Sequence, residues 1–335
     1  MRVAITGGCG FIGSNMVKYL NELGVTDIDI FDYETEHSRW KNLVGLKYKS
    51  IESPNKLFQR VRLMVKHKDS GNWNCGKYDA IIALGAWSQT TLENTEDNYI
   101  NNFNYMKEVF RLSRNFKIIF ASSASIYGLE EEDFTERLNG LTPINFYAYT
   151  KYKCEEILSV PSFQKYCNMA NIYSLRFFNV YGGKREQYKG SQASVIYKWM
   201  TQRIDLWDKL KLFKSPNQKY KDGEQARDFV YVRDVCDVIR HCIVEPEGLG
   251  GVYNVGSGVA CTWLQVAKEI LIIRGIANLN NWKDYIEFVD MPKELEDQYQ
   301  YYTKADLNKL RYDLKYPGKI TYLTQGIYES WQDFA

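Results

Sequence analysis

Residues 2–13, RVAITGGCGFIG, decide the fold of this chain. A short apolar run leads into Gly7, Gly10 and Gly13, and residues 14–23 then carry apolar side chains at helical spacing. The first glycine permits a tight turn, the second lets a pyrophosphate approach the backbone, and the third lets the helix pack close to the strand. The order predicts a strand, a glycine turn and a helix whose N-terminal N–H groups bind phosphate.

The rest of the first half continues this pattern. A second apolar segment, residues 27–31, ends at Asp32, an acid placed about twenty residues past the turn, where it suits a ribose hydroxyl. Further strands are predicted at 46–50, 79–86, 117–121 and 172–178, with helical stretches between them. This alternation predicts an α/β fold, a doubly wound parallel (Rossmann) sheet that binds ligands beyond the carboxyl ends of its strands.

Composition limits the function classes. The 335 residues have a formal net charge of +2, which argues against a nucleic-acid or membrane partner. No apolar run approaches the roughly 20 residues of a membrane span, and the first strand begins without a signal peptide, so a cytoplasmic protein is expected. The seven cysteines are scattered and form no C-x-x-C pair, which predicts reduced thiols and argues against a zinc site. With three histidines in the chain, a histidine-based metal site is also not expected.

The alternation of predicted strands and helices becomes less regular in the second half of the chain. We therefore predict a dinucleotide-binding domain over 1–179 and a smaller, mixed, mainly substrate-binding lobe over 180–335, with some elements returning to the first domain. Helices are predicted over 94–114 and 193–206, and Asp234 and Thr262 are predicted as helix N-caps. Residues 216–225 are interpreted as a charged, mobile insertion.

Tyr147 and Lys151 form the candidate catalytic pair. They lie four residues apart at a predicted helix start, which places both on one face. A phenol with a pKa near 10 is a poor base, but an adjacent ammonium and a positively charged nicotinamide favour its phenolate. Such a tyrosine can take a proton from an alcohol while the cofactor takes the hydride.

Three segments together carry a family resemblance: TGGCGFIG at 6–13, SSASIYG at 122–128 and YAYTK at 147–151. They resemble the extended short-chain dehydrogenase/reductases that act on nucleotide sugars. The resemblance implies that Ser123 hydrogen-bonds the reacting oxygen and that Tyr147 is the acid/base. It implies that Lys151 orients the nicotinamide ribose and lowers the tyrosine pKa, whereas Ser122 and Ser125 are equally well explained as turn serines.

Segments of the second half, RFFNVYG at 176–182, KGSQASV at 189–195 and TKADL at 303–307 among them, resemble the ADP-glyceromanno-heptose 6-epimerases. This implies inversion of C6 of a nucleotide-linked heptose through a transient ketone, with Lys189 as a second acid/base. We expect a nucleotide-sugar substrate and a homo-oligomer. The implied substrate contacts are Asn179, Ser191, Lys198, Phe213, Lys214, Ser215, Pro216, Arg227 and Tyr299.

The choice of nicotinamide cofactor depends on two residues. Asp32 favours NAD by repelling a 2′-phosphate, yet the resemblance points to NADP users that keep this acid and add a basic residue, here Arg39. We expect NADP, with NAD as the alternative. The expected cofactor contacts are Gly7, Gly10, Phe11, Ile12, Gly13, Asp32, Tyr33, Arg39, Leu84, Gly85, Ala86, Ser88, Asn101, Tyr147, Lys151 and Val180.

Other readings stay open. A reductase or epimerase acting on another nucleotide sugar is an alternative, because Trp87, Lys198 and the 216–225 segment depart from the heptose-epimerase pattern. A dehydratase is disfavoured, since such enzymes place Asp-Glu after the active hydroxyl, where this chain has Ala124 and Ser125. A non-catalytic dinucleotide-binding protein is also less favoured, because such proteins typically lose the tyrosine or the lysine.

Overall fold

The structure is a computed structural model that describes residues 1–33, 38–69, 77–87, 95–245 and 248–334. Ser88, an expected cofactor contact, lies outside the described residues. None of the described helices is long and apolar enough to cross a membrane.

The largest element is a seven-stranded sheet in the order β10-β6-β5-β4-β1-β2-β3. β1 pairs in parallel with β2 on one side and with β4 on the other, so the strand order reverses at β1. This confirms the predicted doubly wound α/β sheet, whose ligand crevice lies at the carboxyl ends of the strands beside that reversal. The sheet strands are β1 (Val3–Thr6), β2 (Ile28–Phe31), β3 (Ser50–Glu52), β4 (Ala80–Ala83), β5 (Lys117–Ser123), β6 (Ile172–Phe177) and β10 (Gly251–Val255).

Two smaller sheets complete the strand inventory of the described residues. The first has the order β11-β9-β7 and is mixed, since β9 pairs antiparallel with β11 and parallel with β7. The second joins β8 and β12 in parallel. The strands are β7 (Asn179–Tyr181), β8 (Leu210–Phe213), β9 (Ala226–Tyr231), β11 (Ala260–Thr262) and β12 (Ile286–Val289).

The α-helices are α1 (Phe11–Glu22), α2 (Lys56–Asp69), α3 (Thr95–Tyr99), α4 (Tyr105–Arg111), α5 (Phe146–Ser159), α6 (Pro161–Gln164), α7 (Val195–Thr201), α8 (Val232–Val244), α9 (Trp263–Ile273), α10 (Lys293–Glu296) and α11 (Leu323–Gln332). Short 3₁₀ helices cover Arg39–Leu43, Leu112–Arg114, Ala124–Tyr127, Met169–Asn171, Lys184–Gln192 and Trp282–Tyr285, and π-helical turns cover Ile100–Asn104 and Lys309–Asp313.

The chain divides into two compact units, and both are discontinuous in sequence. The first comprises Met1–Ser122, Thr150–Leu175 and Cys236–Tyr253, and the second comprises Ser123–Tyr149, Arg176–Val235 and Asn254–Ala335. The domain limits of 1–179 and 180–335 stay a prediction.

The core of the first unit lies between the sheet and the helices of one face. Ala4, Ile81 and Ile118 from three neighbouring strands are fully buried there, with Phe110 and Phe120 in edge-to-face contact at 5.4 Å between ring centroids. Strands buried on both faces carry continuous apolar runs, which explains why the sequence marks them clearly.

Several predicted elements differ from the structure in extent. The 94–114 helix is interrupted by the π-helical turn at Ile100–Asn104, and the third strand is Ser50–Glu52 rather than 46–50, because Leu46 still belongs to a turn closed by its N–H donating to Leu43. The 193–206 helix is shorter, Val195–Thr201, because Gln202 is extended.

One helix cap was predicted correctly and the other was not. Thr262 caps α9 in a capping box, its hydroxyl accepting from the Gln265 N–H while the Gln265 side chain accepts from the Thr262 N–H. The Asp234 prediction is wrong, since α8 begins at Val232 and the Asp234 carboxylate accepts from the Thr321 N–H and hydroxyl, both at 2.8 Å.

We expect Gly13→Ala to lower the free energy of unfolding by about 1–3 kcal/mol, as overpacking does, despite the better helix propensity of alanine. A Cβ on Gly13 would lie 2.2 Å from the Gly7 carbonyl oxygen and 2.7 Å from the Gly8 Cα, and neither backbone atom can move aside cheaply. Gly10→Ala is the matched control, because its Cβ would meet only the Gly7 oxygen, at 3.2 Å. Denaturant unfolding of both variants measures the difference, and equal losses would contradict the packing argument.

Candidate functional site

The glycine turn is shaped by contacts between backbones. Gly7 has φ +71°, and a Cβ there would lie 2.6 Å from the Gly85 nitrogen, in the turn that follows β4. The Leu84 N–H donates to the Thr6 carbonyl and the Gly85 N–H to the Thr6 hydroxyl, both at 3.2 Å. The ends of β1 and β4 are thereby joined at the point where the strand order reverses.

The same turn presents a helix start to the crevice. Gly10 is the N-cap of α1 and has no side chain to occupy the first-turn N–H groups, which include those of Phe11, Ile12 and Gly13. A turn with the positive φ of Gly7, followed by a helix N-terminus without a capping side chain, fits the pyrophosphate of a dinucleotide. Residues 7–13, the glycine turn and the start of α1, thus form a cradle whose backbone geometry fits a dinucleotide.

Asp32 lies just past β2, beside this cradle. Its carboxylate accepts from the Cys9 N–H and from the Tyr33 N–H, each at 2.8 Å. Burial raises the pKa of Asp32, and these hydrogen bonds together with the charge of Arg39 oppose the rise. Arg39, the first residue of a 3₁₀ helix and half-buried, is thus close enough to Asp32 to act on it electrostatically.

The turn after β4 is held by a residue that the sequence analysis missed. Asn102, inside the π-helical turn, accepts from the Trp87 N–H at 2.8 Å and donates to the Trp87 carbonyl at 2.9 Å. The predicted contact Asn101 instead donates to the carbonyl of Asp97. The available signal was the position of Asn102 beside Tyr99, Phe103 and Met106, the apolar side chains of the predicted 94–114 helix.

Lys151 is almost completely buried in the first unit, with 2% of its surface exposed. Its ammonium donates to the Ala121 carbonyl at 2.7 Å and lies 4.7 Å from the centroid of the Phe120 ring, both on β5. Burial lowers the pKa of Lys151 to about 8. The lysine is thus fixed at the carboxyl end of β5, one helical turn after Tyr147 along α5.

A buried carboxylate follows Lys151 on the same helix. Glu155 accepts from the Ser122 hydroxyl at 2.5 Å and from the Ser174 hydroxyl at 3.0 Å, so α5 is tied to β5 and to β6. The sequence analysis did not identify Glu155. The sequence pattern that could have identified it is the four-residue spacing of Tyr147, Lys151 and Glu155, which places three polar residues on one helix face.

The second unit contains Ser123 and Tyr147. Ser123 is half-buried, and its hydroxyl oxygen accepts from the Ser125 N–H at 3.2 Å and from the Ser125 hydroxyl at 2.9 Å. Tyr147, also half-buried, is the second residue of α5. Asn145 fixes this helix start, since its side chain accepts from the Ala148 N–H at 2.8 Å.

Three of the predicted substrate contacts come together around Arg227. The guanidinium lies 4.9 Å from the centroid of the Tyr299 ring, and the Phe213 ring packs edge-on to Tyr299 at 6.4 Å. Trp263 donates to the Tyr299 hydroxyl at 2.8 Å. Arg227 is 6% exposed, and burial lowers its pKa. A buried guanidinium with donors to spare is a strong anion ligand.

The neighbouring residue, Asp228, builds the frame of this cluster. Its buried carboxylate accepts from the N–H groups of Ser257, Gly258 and Ala305 at 2.6–2.9 Å and from the Ser257 hydroxyl. Two segments distant in sequence are therefore attached to β9, the strand that carries Arg227.

The other predicted substrate residues are more dispersed. Lys198 is exposed at the end of α7, and exposed Lys214 pairs with Asp290 at 2.9 Å. Ser215 donates its hydroxyl to the Asn217 carbonyl, and Pro216 is exposed. Asn179 and the predicted cofactor contact Val180 lie on β7, where they pair with Phe229 and Val230.

The 216–225 segment consists of bends and turns, and it contacts neighbouring residues of the second unit. Its Tyr220 ring stacks on the Tyr301 ring at 5.5 Å between centroids, and Lys219 pairs with Glu131 at 3.2 Å. Burial, with the charge of Glu131, raises the pKa of Tyr220 to about 12. The segment is thus fastened beside Tyr299, which itself contacts Tyr301 at 5.2 Å.

Lys189 is half-buried within the 3₁₀ helix Lys184–Gln192. Its ammonium lies 3.6 Å from the buried Glu186 carboxylate, which also accepts from the Ser194 N–H at 2.6 Å and from the Ser194 hydroxyl at 2.9 Å. Gly190, with φ +57°, turns the chain directly after the lysine. Glu186 therefore limits where the Lys189 ammonium can lie.

Comparison with known proteins gives consistent results. The model of the NAD dependent epimerase/dehydratase family matches residues 3–256. The ADP-L-glycero-D-manno-heptose-6-epimerase of Fusobacterium nucleatum is 33% identical, covering 99% of this chain and 97% of that protein. That of Nitratidesulfovibrio vulgaris strain DP4 is 35% identical, covering 97% and 95%. The crystal structure of the Helicobacter pylori ADP-L-glycero-D-manno-heptose-6-epimerase superposes with a TM-score of 0.73 at 25% identity, covering 99% of this chain and 95% of that one.

Proposed function

The chain belongs to the NAD-dependent epimerase/dehydratase family, and from this premise we propose that it inverts C6 of ADP-glycero-manno-heptose. The observation that carries the proposal is the likeness over nearly the full length to two heptose 6-epimerases, in a chain that has Ser123, Tyr147 and Lys151. Arg227, buried among aromatic rings, supports an anionic nucleotide sugar as the substrate.

In this proposal, residues of the chain transfer the proton and supply the charge that stabilises the phenolate. Tyr147, as phenolate, takes the proton of the C6 hydroxyl, and Ser123 donates a hydrogen bond to the same oxygen. Lys151 supplies the positive charge that favours the phenolate. A bound nicotinamide dinucleotide supplies the hydride acceptor and donor, so the sugar passes through a ketone and the cofactor ends unchanged.

The substrate is held through its diphosphate. Arg227 presents several N–H donors in a fixed plane, and one of them is already satisfied by the Ala226 carbonyl at 3.1 Å, which fixes the guanidinium. Tyr299 lies against the guanidinium and excludes water from one of its faces, which strengthens a charge-assisted contact. We infer that Asn179, Ser191 and Phe213 complete this site.

A cytoplasmic, homo-oligomeric enzyme remains part of the proposal. The 216–225 segment favours a second candidate, an epimerase for another nucleotide sugar, because Tyr220 and Tyr301 add an aromatic pair beside Tyr299.

The direct test is turnover of purified protein. ADP-D-glycero-D-manno-heptose should be converted to its C6 epimer, followed by NMR of the sugar, without net change in nicotinamide absorbance. Tyr147→Phe, which removes only the phenol, should abolish the conversion. Turnover of UDP-hexoses with none of the ADP-heptose would contradict the proposed substrate and support the second candidate.

We propose NADP as the preferred cofactor, because Arg39, half-buried and seven residues after Asp32, acts electrostatically on that carboxylate and can bind a 2′-phosphate. Arg39→Ala should then weaken NADP binding by the about 1.5–3 kcal/mol of a lost charge-assisted contact and leave NAD binding nearly unchanged. Fluorescence titration with both cofactors measures this. Lys41→Ala, an exposed lysine of the same short helix, is the control for a general loss of charge. Equal weakening of both cofactors by Arg39→Ala would contradict NADP preference.

We also propose that Lys189 is a second acid/base, which serves the ketone oxygen after the sugar has turned. Lys189→Met should bind cofactor and substrate almost normally but lose about 10²–10⁴-fold in turnover, the usual scale for a lost general acid/base. Lys184→Met removes an exposed lysine from the same 3₁₀ helix and should leave turnover unchanged. Near-normal epimerisation by Lys189→Met would mean that Tyr147 alone serves both orientations.

A further inference from the structure

We propose that Glu155 is a positioning residue that holds Lys151 charged and in place, so that Lys151 can support Tyr147 as the base. The inference rests on the proposed function, because it assigns a role to Lys151 in that reaction. It concerns a buried group that neither the sequence motifs nor the family resemblance identified.

Glu155 is buried, and burying a carboxylate costs free energy. It is 4% exposed, and Ser122 and Ser174, which donate to the same oxygen, Oε1, are each 1% exposed. A charge removed from water is destabilising unless hydrogen bonds and an opposite charge compensate it. Two hydroxyl donors supply part of the compensation, and the Lys151 ammonium, one helical turn earlier, supplies the opposite charge.

The Glu155 carboxylate in turn stabilises the charged form of the buried Lys151. Burial lowers the pKa of Lys151 to about 8, and electrostatic interactions with Cys154 and Glu155 oppose the fall. Burial raises the pKa of Cys154 to about 12, so its thiol is neutral near pH 7.

The groups that face Lys151 from β5 are neutral. They are the carbonyl of Ala121 and the ring of Phe120. Among the groups described as acting electrostatically on Lys151 in this unit, Glu155 is therefore the carboxyl group, and it lies one helical turn after the lysine on α5.

The consequence concerns the protonation of Tyr147. Without the Glu155 charge, the buried lysine loses its proton more readily, and a neutral amine does not favour a phenolate. A purely structural role of Glu155, as a tie between α5, β5 and β6, predicts lower stability but no change in protonation. The two roles are thus separated by a titration.

The test compares Glu155→Gln with Glu156→Gln. Glutamine keeps an Oε1 acceptor for Ser122 and Ser174 but removes the charge. Glu156, the next residue, pairs with Lys153 and is half-buried, so its variant removes the same charge from the same helix away from Lys151. The readout is an ultraviolet difference titration of the Tyr147 phenol with oxidised cofactor bound, obtained by subtracting the titration of each variant combined with Tyr147→Phe.

We expect Glu155→Gln to shift the Tyr147 titration upward by about one pH unit, with a tenfold loss of phenolate near neutrality. Turnover at pH 7 should fall by a similar factor with KM within about twofold. Glu156→Gln should leave the titration unchanged. An unmoved titration in Glu155→Gln, or an equal shift in Glu156→Gln, would overturn the proposal.

Two further measurements complete the design. If Glu155→Gln does not fold, Glu155→Asp keeps the charge and should leave the Tyr147 titration close to that of the wild type, and an upward shift of about one pH unit in that variant overturns the proposal. The phenol titration contains no sugar. A wild-type protein that fails to convert ADP-heptose therefore counts against the proposed substrate alone, and the Glu155 assignment is still decided by the titration.

Discussion

The close approach of backbones at the end of β1 is the constraint on which the rest of the first unit depends. Gly7 and Gly13 leave no room for a Cβ against the neighbouring main chain, and a Cβ on Gly85 would lie 3.2 Å from the Gly7 nitrogen. This contact brings the turn after β4 to the turn after β1 and directs the start of α1 into the crevice. A dinucleotide site follows from that geometry, because phosphate needs both open backbone N–H groups and the absence of side chains.

Charge buried behind this crevice is arranged in compensated pairs. Lys151 lies near Glu155, and Asp32 lies near Arg39. Each charge is costly alone, and hydrogen bonds to Ala121, Ser122 and Cys9 hold the groups in one geometry. Such an arrangement stabilises the fold only weakly. In the proposed function its value is electrostatic, since it fixes charges where a reacting proton or a ribose is recognised.

The second unit contains a buried guanidinium, which in the proposed function recognises the anionic part of the substrate. Arg227 is enclosed by the Tyr299 and Phe213 side of an aromatic cluster, while Asp228 attaches distant segments to the same strand. The alternation along β9 explains this division, because adjacent residues of a strand point to opposite sides. One residue faces the ligand side and its neighbour secures the loops around it.

The sequence by itself determined the features that depend on neighbours along the chain. The glycine spacing predicted the cradle, the apolar runs predicted the doubly wound sheet, and Thr262 was predicted as a helix N-cap, because each is a matter of local backbone geometry. The four-residue spacing of Tyr147 and Lys151 likewise follows from the helix alone. For the candidate site, these local patterns identified the glycine turn, Asp32 and the catalytic pair, and the family resemblance supplied Arg227 and Tyr299.

Only the tertiary structure decided which polar residues meet across elements. Asn102 holds Trp87, Glu155 joins Ser122 to Ser174, and Asp234 binds Thr321 instead of capping its helix. A carboxylate or an amide can satisfy its hydrogen bonds locally or at a distance, and the sequence does not state which partner folding brings near. The choice is made by burial, since a polar group removed from water must take the partners that the packed strands and helices present.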